Sequence, residues 1–140
     1  MRLLITGGTG SLGTALVKTL LRSDEYERII VYSRDEYKQA LLKETFPDPR
    51  VECWLGDVRD YARLKLAFRG EINHVIHAAA LKRVDSVARD PDEVFKTNVE
   101  GTRNVCHAAL GARLVTKVLL ISSDKACQPL NAYGISKAMA

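Results

Sequence analysis

The sequence predicts a doubly wound α/β domain built on a parallel sheet. Three observations point there. Short apolar runs alternate with amphipathic stretches along the whole chain. The runs are nearly continuous, as strands are when helices cover both faces of their sheet. A glycine-rich segment, "TGGTGSLG", joins the first run directly to the first amphipathic stretch. Alternation of this kind implies parallel strands joined by right-handed crossovers.

The elements follow in order. "RLLIT" is the first strand, and a helix is expected from about Ser11 to Arg22. "RIIVYS" is the second strand, followed by a helix from about Asp35 to Glu44, with Asp35 a good N-cap. "FPDP" breaks the chain. "VECWLG" is the third strand, and Asp60 caps a helix running to about Phe68. "HVIHAA" is the fourth. After "ARDP" a long helix is expected from Pro91 or Asp92 to about Ala112. Pro91 suits its first turn, where a missing N–H costs nothing. Val94, Val99, Thr102, Val105, Cys106, Ala109 and Leu110 fall near one face of it. "KVLLIS" is the fifth strand, and a further helix opens at Asn131. With no repeat, low-complexity segment or linker, residues 1–140 read as one domain.

Composition narrows the function. The chain is 46% hydrophobic and 27% charged, with a formal net charge of +4. That charge is small and scattered, which argues against nucleic acid. No apolar run approaches the ~18 residues of a membrane span. The apolar run in "MRLLITGGTG" is too short for a signal peptide, so a cytoplasmic protein is expected. Cys53, Cys106 and Cys127 are odd in number and lack C-x-x-C spacing, and they read as reduced and structural. His74, His77 and His107 are not clustered, and no metal site is read.

The glycine turn carries the first chemical signal. Gly7, Gly10 and Gly13 form G-x-x-G-x-x-G between strand and helix, with Thr9, Ser11 and Leu12 between them. Gly7 permits a tight turn, Gly10 lets a pyrophosphate approach the backbone, and Gly13 lets the helix pack on the sheet. The helix N-terminus offers free N–H groups to phosphates. This strand–turn–helix context predicts a Rossmann NAD(P)-binding domain. At the end of the second strand stand Ser33 and Arg34 rather than an acidic residue, with Lys38 one turn on. A hydroxyl and a guanidinium suit a 2′-phosphate, so NADP is favoured over NAD. Asp57 and Val58 in "GDVRD" stand where an adenine would sit, with Asp57 as a plain cap the alternative. Ala78, Ala79 and Ala80 are small where the cofactor backbone would pass. Lys82 and Arg83 stand to meet phosphates or only solvent.

The second signal is "ISSDKACQPLNAYGISK". Tyr133 and Lys137 are spaced i, i+4 and share a helix face. A nearby ammonium favours the phenolate over a free tyrosine's ordinary state. Such a phenolate takes a proton from an alcohol while the alcohol carbon gives hydride to nicotinamide. Ser123 is placed to hold the same hydroxyl.

The glycine turn, "HAAA" and the Ser–Tyr–Lys set resemble an extended short-chain dehydrogenase/reductase. More narrowly, "ITGGTGSLG", "VYSRDEYKQ", "GDVRD", "HAAALKRV", "KTNVEGTRNV" and "SSDKA…NAYGISK" resemble the inverting UDP-N-acetylglucosamine 4,6-dehydratases. That resemblance covers essentially the whole chain. It implies Lys125 as the base at C5 of the sugar, Asp124 as the acid toward the C6 hydroxyl, and Tyr133 with Lys137 serving cofactor and C4. It also implies a UDP-sugar partner, a homo-oligomer at full length, and a role in surface-polysaccharide or nonulosonic-acid synthesis. Retaining relatives usually carry Asp-Glu where Asp124 and Lys125 stand, and 4-epimerases carry no such pair. Ser123 replaces the Thr of many relatives but keeps the hydroxyl. Asn98 matches an asparagine lying under the active site of relatives, with a bond inside its own helix the alternative. Relatives are longer, so the chain reads as an N-terminal part lacking the substrate-binding part, with its fifth strand left uncovered, prone to self-association and inactive alone. A UDP-sugar 4-epimerase and a non-catalytic NADP-binding module remain the competing readings.

Overall fold

A computed structural model describes residues 1–83 and 89–140; Val84 of "HAAALKRV" and Ala88 of "ARDP" lie outside the described residues. Five strands form one parallel sheet: β1 (Arg2–Thr6), β2 (Arg28–Ser33), β3 (Val51–Leu55), β4 (His74–His77) and β5 (Lys117–Leu120). Their order is β3-β2-β1-β4-β5. The chain winds outward from β1 in one direction and then from β4 in the other. The two halves part at the carboxyl ends of β1 and β4, where doubly wound sheets open a crevice.

The continuous apolar runs fill two cores because successive strand residues face opposite ways. Leu4 and Ile30 point to one side, packed with Leu64, Phe68, Val105 and Ala109. Leu3, Ile5, Ile29 and Val31 point to the other, packed with Val17 and Leu42. The helices that supply these partners are α1 (Ser11–Leu20) and α2 (Glu36–Thr45) on one face. On the other lie α3 (Tyr61–Phe68) and α5 (Gly101–Leu110). Asp35 caps α2 by accepting from the Lys38 amide, and Asp60 caps α3 by accepting from the Arg63 amide.

Two expectations are corrected. The long helix after Pro91 is not uniform. It begins as α4 (Pro91–Phe95), widens into a π-helical turn over Lys96–Glu100, and resumes as α5. Gly101 N–H donates to Lys96 O, five residues back. The widened turn carries one extra residue, which rotates the buried face. Ala108 is buried, whereas Leu110 is 86% exposed. Gly101 accepts the closer approach: a Cβ there would stand 2.7 Å from Val58 Cγ2. Helices α1 and α5 also end at Leu20 and Leu110, short of Arg22 and Ala112, as terminal turns tighten. The fifth strand is left uncovered, as expected: among the described residues β5 pairs with β4 alone, and Val118, Leu119 and Leu120 are exposed. No helix of the described residues is long and apolar enough to cross a membrane.

Candidate functional site

The crevice holds a cavity of about 670 Å³. Gly7, Thr9, Gly10, Ser11, Leu12 and Gly13 form its floor. Ser33, Arg34 and Lys38 enclose it from the end of β2, and Asp57 and Val58 from beyond β3. Ala78, Ala79, Ala80 and Lys82 close it from beyond β4. Segments far apart in sequence thus converge on one space. Arg83 does not line it.

The floor has the chemistry of an anion cradle. Gly7 adopts φ +68°, and a Cβ on it would lie 2.6 Å from Ala79 N, so the turn rests directly on the segment after β4. Helices α2 and α3 have side-chain caps, but α1 opens on Gly10 with no side-chain cap and no acidic residue in its first turn. Its amide N–H groups stay free for a ligand, as a pyrophosphate requires. These features fit a dinucleotide.

The wall at β2 and β3 is charged and already paired. Arg34 Nη1 lies 3.4 Å from Asp57 Oδ2, and Arg59 Nη2 lies 2.7 Å from the same oxygen. Burial works to raise the Asp57 carboxyl, but hydrogen bonds from Arg59 and the Arg34 charge outweigh it and hold it below the usual range. Lys38 Nζ lies 3.1 Å from Asp35 Oδ2. Sequence reasoning missed Arg59, which holds both Asp57 and Glu93. It also missed Gly56, where a Cβ would collide with the Tyr32 hydroxyl at 2.2 Å. The initial glycine of "GDVRD" was a readable signal for Gly56.

Thr97 had no such signal. It lines the cavity, is 3% exposed, and its hydroxyl has no partner among the described residues. A helical threonine ordinarily bonds the carbonyl four residues back. Thr102 does so, at 2.6 Å from Asn98 O, but Thr97 in the π-helical turn does not.

The proton-handling residues occupy the segment after β5. Ser123 precedes a 3-10 turn over Asp124–Ala126. Its Oγ accepts from Lys125 N at 3.2 Å and donates to Asp124 Oδ1 at 3.1 Å. Lys125 Nζ meets Asp124 Oδ2 at 2.5 Å, and both side chains are exposed. The hydrogen bond from Lys125 lowers the Asp124 carboxyl, and the same bond raises the Lys125 ammonium. Tyr133 and Lys137 stand on α6 (Ala132–Met139), which Asn131 caps through the Gly134 amide. Lys137 Nζ donates to Ile121 O at 2.7 Å, and burial lowers its pKa. Among the described residues none of these five lines the cavity. Gly134, also missed, holds the turn to the helix: a Cβ there would lie 2.5 Å from Lys125 O.

Asn98 joins the two regions. Its side chain leaves its own helix. Oδ1 accepts from Leu81 N at 2.8 Å, while Nδ2 donates to Leu81 O at 3.0 Å and to Ser136 Oγ at 2.9 Å. Below it lies His77, 3% exposed, with Nδ1 2.6 Å from Thr6 Oγ1 and Nε2 3.0 Å from Thr102 Oγ1. Because Thr102 spends its proton on Asn98 O, it accepts from His77, so Nε2 carries the hydrogen and Nδ1 accepts from Thr6. Burial, then the Lys137 charge, pushes His77 down to about 4 from 6.5. The unfolded chain therefore binds the extra proton between those values. Stability from this group is complete above pH 6.5 and is lost as pH falls toward 4, by up to about 3 kcal/mol. Urea denaturation at stepped pH checks this: His77→Gln should flatten the decline, and an unchanged decline would remove His77 as its cause.

Residues 3–140 match the family described as polysaccharide biosynthesis protein. The chain belongs to that family. One relative, the UDP-glucose 4-epimerase of Rickettsia massiliae, is 45% identical over 140 residues, covering 98% of this chain and 40% of its own. Another member of similar likeness is the UDP-N-acetylglucosamine 4,6-dehydratase (inverting) of Campylobacter jejuni, 45% identical over 135 residues, covering 96% and 40%. Among solved structures, DesIV, a dTDP-glucose 4,6-dehydratase of Streptomyces venezuelae with NAD bound, has a TM-score of 0.88 at 31% identity, covering 99% of this chain and 49% of that one. The chain spans about 40% of the length of the curated relatives it matches.

Proposed function

We propose that this chain is the cofactor-holding and proton-handling part of an NADP-dependent, C5-inverting sugar-nucleotide 4,6-dehydratase. Its substrate is a UDP-N-acetylglucosamine-like sugar nucleotide in the cytoplasm. The observation that carries this reading is the adjacent Asp124–Lys125 pair, set by the Ser123 cap and seated on α6 beside Tyr133 and Lys137. The nicotinamide, when bound, would take hydride from C4 and return it to C6. Tyr133 accepts the C4 hydroxyl proton, and Lys137 stands one helical turn on, on the same face of α6. Once C4 is a ketone, the C5 proton is acidic. Lys125 removes it, Asp124 protonates the C6 hydroxyl as it leaves as water, and Lys125 returns a proton to the opposite face of C5.

The 4-epimerase is the second reading, favoured by the Rickettsia relative's name and equal identity. Product analysis with UDP-N-acetylglucosamine and the full-length enzyme separates them. The dehydratase yields a 4-keto-6-deoxy sugar with C5 inverted; a C4 epimer with C6 intact would overturn that reading.

The NADP preference rests on Ser33 and Arg34. Arg34→Ala should erase most of it, about 1–3 kcal/mol for a charge-assisted contact. Arg34 must first leave Asp57, but that contact is long at 3.4 Å and little is lost. Equal affinity of the unchanged protein for NADP and NAD would sink this expectation.

A further inference from the structure

Gln39 sits early in α2, 7% exposed, with its side chain turned back onto the ends of β2 and β3. Its Nε2 lies 3.1 Å from Ser33 O, 3.0 Å from Ser33 Oγ and 3.0 Å from Trp54 O. Two of these are carbonyls, which only accept, so the amide presents its NH2 here. Two N–H bonds serve three acceptors. One reaches Trp54 O, and the other is shared between the carbonyl and hydroxyl of Ser33. The Ser33 hydroxyl therefore accepts from Gln39, and its own proton points elsewhere. Ser33 lines the cavity, and among the described residues its Oγ donates to no acceptor. The cavity is the direction left open. A hydroxyl that accepts from behind is polarised into a stronger donor in front. Packing alone does not ask for an amide at this buried position.

We infer that Gln39 is a positioning residue that aims the Ser33 hydroxyl proton into the cavity at the 2′-phosphate of NADP, setting cofactor preference without touching the cofactor. This rests on the NADP reading. Without the amide, the Ser33 hydroxyl is free to rotate and bond backbone instead. The Ser33 carbonyl keeps its bond from Gly56 N at 3.0 Å, so the strand end stays paired.

The test is calorimetric titration of NADP and NAD into four proteins: unchanged, Ser33→Ala, Gln39→Leu and the double variant. The unchanged protein should prefer NADP. Ser33→Ala and Gln39→Leu should each cut the preference roughly tenfold, the scale of one hydrogen bond to a charged group. The double variant should lose no more than Ser33→Ala alone. A purely structural role weakens both cofactors alike and leaves their ratio unmoved; that result overturns the inference, as do additive losses or a silent Ser33→Ala. No preference in the unchanged protein would overturn the NADP reading and this inference with it. A preference lowered by Ser33→Ala but not by Gln39→Leu removes the positioning role alone. Should Gln39→Leu not fold, Gln39→Asn keeps an amide but withdraws it by one methylene, and the same ratio decides.

Discussion

Lys125→Met in the full-length enzyme should stop solvent deuterium from entering C5 and cut turnover about 10³-fold, within the range lost with a general base. C4 oxidation should survive, seen as transient reduced-nicotinamide absorbance. The reason lies in the contact between Asp124 and Lys125. Lys125 is held charged and Asp124 ionised by their mutual contact at 2.5 Å, the opposite of the forms that a base and an acid need. Both side chains are exposed, so water supports the charges. A sugar lying over them would remove that water, and desolvation favours neutral forms. One proton passing from Lys125 Nζ to Asp124 Oδ2 would then create the neutral base and the neutral acid together. Met keeps the length and loses the nitrogen, so the C5 proton has no acceptor. Undiminished deuterium exchange in Lys125→Met would take the base role away from Lys125.

The fold was legible where local chemistry repeats. Continuous apolar runs gave away the five strands because each must serve two cores, as Leu3 and Leu4 do. Asp35 and Asp60 marked helix starts because a carboxylate meets free amides only there. The lining of the cavity was legible where glycine and charge sit beside a strand end. What stayed hidden depends on contacts between distant segments. The π-helical turn at Lys96–Glu100 accompanies Asn98 reaching Leu81 and Ser136 and Gly101 fitting against Val58, and neither leaves a periodic mark. Thr97 enters the cavity only through that turn. Arg59 reaches Glu93 on α4, and Gly134 packs against Lys125 O across a turn; neither contact follows from a helix or strand period.

Two glycines of one turn should fail in different ways. Gly7→Ala forces a side chain onto a residue at φ +68°, a cost of about 1–2 kcal/mol by itself. Its Cβ would also meet Ala79 N at 2.6 Å, Ala79 Cα at 2.7 Å and Ala78 C at 2.8 Å. All three are backbone, so no side chain can swing aside; the turn or the segment after β4 must move. A total loss of about 3 kcal/mol or more is expected, together with cofactor binding. Gly10→Ala is different. Gly10 has φ −78°, which any residue adopts, and its Cβ would meet only Gly7 O, at 3.3 Å. Stability should change by less than ~1 kcal/mol. That methyl nonetheless stands at the uncapped start of α1, where a pyrophosphate would touch backbone, and NADP affinity should fall at least about tenfold. Urea denaturation and calorimetric titration on the two variants separate the effects. Unchanged binding by Gly10→Ala would mean that the phosphates do not cross this turn, and unchanged stability of Gly7→Ala would mean that the turn is not pinned against β4.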